Sequence, residues 1–349
     1  MSALPSVVKA LLGPQAYPHK PEKIELVQTQ MSFVFLTGEY VYKVKKPVNL
    51  GYLDYTTLEK RHFFCRQEVE LNRRLCPDIY LAVVPITMSL RGAKRRSNLV
   101  RIEGEGQAIE YAVKMRQLPQ DRMMDVLLAG GQVTLKMVAN VAQKLADFHR
   151  KAETSARIAA FGALDVIRQN TDENFAQTEK YIGLTILRAK HERIRGYSGD
   201  FMKSNASLFD KRVREGRIRD CHGDLHAAHI CFTDDTRLPS PGGQVCIYDC
   251  IEFNDRFRYC DVASEIAFLA MDLDHYQQGG LSQHLVDTYV ELSSDEGLLK
   301  LLNFYKCYRA YVRGKVESFK VDDPLIPQSE KAKALESAQS YFQLAESYL

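Results

Sequence analysis

The clearest pattern along the chain is a strand-like alternation near its start. Ser32–Leu36 (SFVFL) is a short apolar run of β-type residues, and Tyr40–Lys45 (YVYKVK) alternates apolar side chains with lysines. The intervening Thr37-Gly38-Glu39 turns one into the other, which predicts a hairpin. Residues 56–75 then change period and predict a helix, with Thr56 or Thr57 as N-cap and Pro77 beyond its end. Tyr80–Ile86, Leu99–Glu103 and Ala108–Met115 read as further strands, the last two flanking Gly104 and Gly106. After Leu118-Pro119 the chain becomes mostly helical, with Val133–Arg150 and Ala263–Leu273 the clearest segments. A β-like island, Ile218–Phe253, interrupts the helices. The pattern predicts an α+β chain: a β-rich N-lobe over 1–117, a linker near 116–120, and a mainly helical C-lobe over 118–349.

Composition narrows this little. With 349 residues, 45% of them hydrophobic, the chain can bury a core without staples. The net charge of +3 gives no reason to expect a nucleic-acid binder. No apolar run reaches the roughly 18 residues that a bilayer crossing needs. The N-terminus has no basic segment followed by a long apolar one, so it does not read as a signal peptide. The eight cysteines are dispersed without a CxxC pair, which suits free thiols in a reducing cytoplasm.

The chemistry concentrates in two segments. One is His222-Gly223-Asp224-Leu225-His226-Ala227-Ala228-His229, and the other is Ile247-Tyr248-Asp249-Cys250-Ile251-Glu252-Phe253. Each sets a polar cluster beside a short apolar strand, with a polar turn, 233–244, between them. A loop, strand, turn and returning strand would bring Asp224 and Asp249 together. Phosphoryl transfer needs such parts: a carboxylate for the attacking hydroxyl, oxygen ligands for a cation, and a lysine for the phosphates held by a buried glutamate.

On HGDLHAAH (222–229), IYDCIEF (247–253) and DVASEIAFLAMDLD (261–274), the chain resembles the aminoglycoside phosphotransferase-like branch of the protein-kinase-like fold. Residues 36–75 and 304–319 are similar to a bacterial subgroup whose members often carry a C-terminal P-loop ATPase domain. No GxxxxGK[ST] occurs here, so the resemblance implies the kinase-like part alone, with a separate ATPase as a partner. It implies a bilobal fold and ATP-dependent phosphorylation of a small hydroxyl-bearing metabolite in the cytoplasm. Asp224 takes the place of the catalytic base, His222 of the histidine that supports the catalytic loop, and Asp249 of the metal-binding aspartate. Asp261 takes the place of an aspartate that braces the loop, and its position before an apolar run also suits an N-cap.

One position departs from the family pattern HGDxHxxN: its asparagine, a metal ligand, is His229 here. An imidazole suits Mn²⁺ better than Mg²⁺. His229 is therefore an altered ligand, or the second cation is lost, or the site is dead or repurposed.

Lys43 and Lys45 share one strand face. Alignment with the family's nucleotide-binding strand favours Lys43, with Lys45 second. Phe64, Glu68, Leu71 and Leu75 form one helical stripe, and a lone carboxylate there needs a cation, for which Lys43 is the candidate. The resemblance places the adenine edge near Met115 to Gln117, and the phosphates near the short turn Thr37-Gly38-Glu39.

Other features carry less. Lys306, Arg309 and Arg313 share a helical face that would favour an anionic or sugar-like acceptor, or is simply solvated. Residues 188–219 hold ten Lys/Arg, read as a solvated surface, and Arg91, Lys94, Arg95, Arg96 and Arg101 read as a basic turn. Glu252 is an auxiliary contact or a structural anchor, and His149 a packed or surface histidine. Nucleotidyl transfer on the same fold, or a nucleotide-binding scaffold without catalysis, are the competing functions.

Overall fold

A computed structural model describes residues 4–89, 99–233, 245–323 and 326–349. Most of the basic turn (Arg91, Lys94, Arg95, Arg96) and nearly all of the polar turn 233–244 lie outside the described residues. In chain order, a short helix α1 (Ser6–Leu11) precedes strands β1 (Glu25–Gln28), β2 (Ser32–Leu36) and β3 (Tyr40–Lys45). Then come helix α2 (Leu58–Asn72) and strands β4 (Tyr80–Ser89), β5 (Leu99–Ile102) and β6 (Ala108–Arg116). The helical stretch opens with α3 (Met124–Ala129), α4 (Leu135–Lys151), α5 (Ala156–Ala159), α6 (Leu164–Thr178), α7 (Arg188–Ser204) and α8 (Ala206–Arg214). Three-residue strands β7 (Ile218–Asp220), β8 (Ile230–Phe232) and β9 (Val245–Ile247) follow. The chain closes with α9 (Asp255–Arg258), β10 (Tyr259–Asp261), α10 (Val262–His275), α11 (Gly279–Ser293), α12 (Leu302–Asp322) and α13 (Gln328–Glu346).

These elements form two compact units. The first joins residues 1–122 with 231–255, and the second joins 123–230 with 256–349. Segment 231–255 therefore belongs with the sheet, although it follows helices in sequence.

In the first unit the strands form an antiparallel sheet in the order β1-β2-β3-β6-β4-β5. Alternation assigns its faces. Tyr42 and Val44, with Phe33 and Phe35 of β2, form an apolar core with Val8 and Leu11 of α1. Lys43 and Lys45 point to the other face, which meets α2. That helix starts where the sequence places it, with the Thr57 hydroxyl accepting from the Lys60 amide at 3.3 Å. The free-thiol reading fails at one pair: Cys76, just after α2, is disulfide-bonded to Cys246 of β9, with Cα atoms 5.1 Å apart. The cysteines thus no longer argue for a reducing compartment. Their sequence separation of 170 residues hides the pairing from any spacing argument.

The second unit is built around α10. Every residue from Val262 to Leu273 is buried, so this helix is enclosed on all sides. The Asp261 carboxylate caps it by accepting from the Ala263 amide at 2.9 Å. Asp261 also receives Arg212 Nη2 at 2.6 Å and Nε at 2.8 Å, and the same guanidinium reaches Asp295. Arg212 is only 1% exposed, so one member of the basic run 188–219 is an internal tie rather than solvated surface. Among the described residues, no helix is long and apolar enough to cross a membrane.

Candidate active site

In the first unit, the inward lysines of β3 meet a buried carboxylate. Lys43 Nζ lies 2.9 Å from Glu68 Oε1, and Lys45 Nζ lies 2.7 Å from Glu68 Oε2. Glu68 is completely buried. Burial alone would raise its pKa, but the two ammonium groups outweigh this and hold it below the ordinary carboxylate range. The sequence paired Glu68 with one lysine; it serves both. Their further partners separate them. Lys43 donates to Asp249 Oδ1 at 2.6 Å. Lys45, with a side chain 1% exposed, also pairs with Glu252, which accepts from the Tyr55 hydroxyl at 2.6 Å. Glu252 is thus a structural anchor, and the open alternative at that position closes.

Asp249 is held tightly. Its amide donates to the Tyr80 hydroxyl at 3.2 Å, and the next amide, of Cys250, donates to Asn72 Oδ1 at 2.8 Å. Asn72 in turn donates to the Glu68 carbonyl, so the turn after β9 is pinned to the helix that carries Glu68. Asp249 adopts φ +64°, a left-handed conformation that costs a non-glycine residue about 1–2 kcal/mol. Such outliers persist where the surroundings over-determine them, often at functional positions. The carboxylate is a hard oxygen donor, and its side chain keeps 38% of its exposure, which suits Mg²⁺.

At the linker, Met115 is buried within β6, paired across to Val41 and Tyr80. The Gln117 amide donates to the Glu39 carbonyl at 3.0 Å, and its side-chain oxygen accepts from the Gly38 amide at 3.1 Å. Gln117 therefore braces the turn between β2 and β3.

In the second unit, the segment from His222 to His229 is suspended from α10. Glu265 is fully buried and accepts from the His222 amide at 2.9 Å and the Gly223 amide at 2.7 Å. His149 Nε2 completes its shell at 2.9 Å, and His149 Nδ1 meets the Tyr289 hydroxyl at 2.7 Å. Burial opposes ionisation of Glu265, yet His149 and these amides hold its pKa at about 2. Gly223 takes φ +89°, which a side chain would resist. His222 is buried, and its Nδ1 accepts from the Asp224 amide at 3.3 Å. Further along, the Ala227 amide donates to Asp272 Oδ2 at 2.8 Å.

This corrects one expectation. Asp261 does not brace the loop, because its carboxylate is spent on Arg212 and its own helix. Glu265, one helical turn on, does so, with His149 behind it. The sequence carried the signal, since Glu265 is a lone carboxylate inside an apolar helix. The Asp224 carboxylate lies 3.7 Å from His226 Nε2 and 3.6 Å from His229 Nδ1. Burial would raise its pKa; His226, His229 and Arg313 override this and hold it well below the usual range.

Two of the three cations on the basic face of α12 are neither solvated nor open, while Arg313 keeps 20% of its side-chain exposure. Lys306 pairs with Asp274 at 2.9 Å, and Arg309 Nη1 donates to the Gly223 carbonyl at 3.2 Å. Both are buried, so they no longer argue for an anionic acceptor.

No protein-family model matches the sequence. Uncharacterized proteins of Mycobacterium bovis and Mycobacterium tuberculosis are 30% identical over 294 residues, 84% of this chain. The chain spans about half (54%) of the length of these curated relatives. Among solved structures, an amicoumacin kinase bound to AMP-PNP, Ca²⁺ and its ligand matches over 97% of this chain and 92% of its own, with a TM-score of 0.50 and 10% identity. The chain has the protein-kinase-like fold. A choline/ethanolamine kinase family protein from Mesorhizobium loti covers 98% of this chain and 97% of its own at a TM-score of 0.49 and 10% identity. A glucosamine kinase covers 92% and 75% at a TM-score of 0.46 and 14% identity.

Proposed function

We propose that the chain is an ATP-dependent O-phosphotransferase, of the aminoglycoside phosphotransferase-like kind, acting on a small hydroxyl-bearing metabolite. The observation that carries this reading is the Glu68–Lys43–Asp249 chain of ion pairs. It joins in one unit three groups that phosphoryl transfer requires and that lie far apart in sequence.

In this reading Lys43 pairs with nucleotide phosphates, and Glu68 fixes its position. Lys45 supports Glu68 from within, while Met115 and Gln117 shape the adenine end. Asp249 would hold Mg²⁺ within the first unit, whereas His229, the other expected ligand, belongs to the second. When bound, the cation neutralises charge on the β- and γ-phosphates. Asp224 orients the acceptor hydroxyl and takes its proton, and His222 keeps the loop in shape. A carboxylate held so far ionised is a weak base. That suits a loose transition state, where the hydroxyl must be aimed before its proton leaves. The printed names of the three similar kinases, all for small-molecule phosphorylation, support the same class.

The test is incubation of the purified chain with ATP, Mg²⁺ and fractionated metabolite extracts, read by mass spectrometry, with Asp224→Ala as control. The expected outcome is ADP and an acceptor heavier by one phosphate, lowered about 10²–10⁴-fold in the variant. Pyrophosphate with an acceptor heavier by AMP would replace this reading with nucleotidyl transfer. No turnover of ATP would leave a scaffold.

A further inference from the structure

The segment that carries Asp224 holds a second constellation. The short 3₁₀ turn Ala227–His229 begins just after His226, and the His229 amide donates to the His226 carbonyl at 2.9 Å. Residues three apart on such a turn stack on one side. The rings of His226 and His229 accordingly sit 4.0 Å apart, centroid to centroid. Asp224 faces both. One ligand atom from each of Asp224, His226 and His229 falls within 4.8 Å of the others. The carboxylate oxygen is 3.7 Å from one ring nitrogen and 3.6 Å from the other.

These separations match a metal site. Tetrahedral zinc with bonds of about 2.0–2.1 Å sets its ligands about 3.4 Å apart. The two carboxylate–imidazole separations exceed this by only a few tenths of an ångström. Two imidazoles and one carboxylate favour Zn²⁺, and then Fe²⁺ or Mn²⁺, over Mg²⁺, which demands oxygen ligands. The loop is also preorganised, because Glu265 and Asp272 hold the amides of Gly223 and Ala227. Two features oppose a cation. Arg313 acts on Asp224 with the same charge sign, and His229 Nδ1 sits 2.9 Å from the Asp224 carbonyl, to which its proton is donated. Ligation at Nδ1 moves that proton to Nε2, so the ring stays neutral and one hydrogen bond is exchanged for a metal bond.

We propose that Asp224, His226 and His229 form a three-ligand site for Zn²⁺, distinct from a cation carried by Asp249, with a fourth position open to water. The site itself needs no part of the proposed function. Its consequence rests on that reading: bound zinc would occupy the carboxylate that orients the acceptor hydroxyl, and would inhibit transfer.

The experiment is titration of the full chain with Zn²⁺ alone, without nucleotide, in competition with a chromophoric chelator. Co²⁺ serves as a parallel spectroscopic probe. The expected result is one tight equivalent and a tetrahedral Co²⁺ absorption band. Both should weaken more than about tenfold in His226→Asn and in His229→Asn, a loss at least as large as outer-shell changes produce. Thermal melting confirms that each variant is folded. Should His226→Asn fail to fold, Asp224→Asn, at a half-exposed position, gives the same reading. Absence of binding at millimolar Zn²⁺, or binding unchanged in the folded variants, would overturn the site. Zinc bound as expected by a protein that turns over no ATP would instead sink the proposed function and leave this inference standing.

Discussion

Two lysines, two residues apart on one strand, share a single glutamate and yet do different work. Lys45 is sealed between Glu68, Glu252 and Tyr55. Lys43 keeps part of its surface and reaches Asp249. Removing the charge of Lys45 leaves two buried carboxylates short of a partner, which costs about 3–5 kcal/mol. Lys45→Met should therefore lower the urea midpoint strongly. Lys43→Met should cost less, since its site is partly hydrated, and should instead weaken nucleotide binding. Paired denaturation and nucleotide titrations check this, and the reverse ranking would show that Lys45 is the phosphate-facing residue. Strand phase placed both lysines on one face, and helical spacing made Glu68 inward. Neither could say that Glu68 serves both, because that depends on where Glu252 and Tyr55 return in three dimensions.

The central element of the second unit is α10, and its main chemical act is to hold a loop by its backbone. Glu265→Gln keeps the shape but sets an amide donor against the donors of His222 and Gly223. Turnover should fall about 10²-fold, as displacement of a reacting group by about 1 Å does. Stability should fall by about 2 kcal/mol, the range of hydrogen bonds to a charged group. Hydrogen exchange at the His222 and Gly223 amides should accelerate. The pH dependence follows from the same carboxylate. Its folded pKa of about 2 lies below the ordinary 4.5. Its stabilisation is thus complete above the ordinary value and fades as pH falls toward about 2. The variant should lose that acid arm of the urea-stability profile; an unchanged arm would contradict the role.

Legibility at this scale follows locality. The hairpin of β2 and β3 and the core of α10 could be read because alternation and an unbroken apolar run are local. Strand β1 (Glu25–Gln28) was missed because its mostly exposed residues leave no alternation to see. Glu265 was missed although it obeys the argument that found Glu68, a lone carboxylate in an apolar helix; Asp261 drew the assignment because it sat where the resemblance expected a brace. The Cys76–Cys246 bond joins residues whose neighbourhood no periodicity encodes.

For the molecule as a whole, the fold accounts for where its charge goes. A net charge of +3 and a basic run over 188–219 could suggest an electrostatic binding surface. Part of that charge is tied up in ion pairs: Arg212 is buried between Asp261 and Asp295, and Lys190 and Arg193 pair with Glu346, while Arg193 and much of the rest of the run stay exposed. In the proposed reading the chemistry rests on two local constellations, one centred on Asp249 and one on Asp224, each held by its own buried glutamate. They are assigned different tasks, nucleotide holding and acceptor activation, so damage to each should be separable. The most direct measurement is calorimetric titration of a non-hydrolysable ATP analogue, with and without Mg²⁺, alongside ATP turnover, for the wild type, Asp249→Asn and Asp224→Asn. Asp249→Asn should lose more than about tenfold of the Mg²⁺-dependent affinity, whereas Asp224→Asn should bind within about twofold of wild type. Neither should turn over. Undiminished metal-dependent binding in Asp249→Asn, or wild-type turnover in Asp224→Asn, would contradict the account.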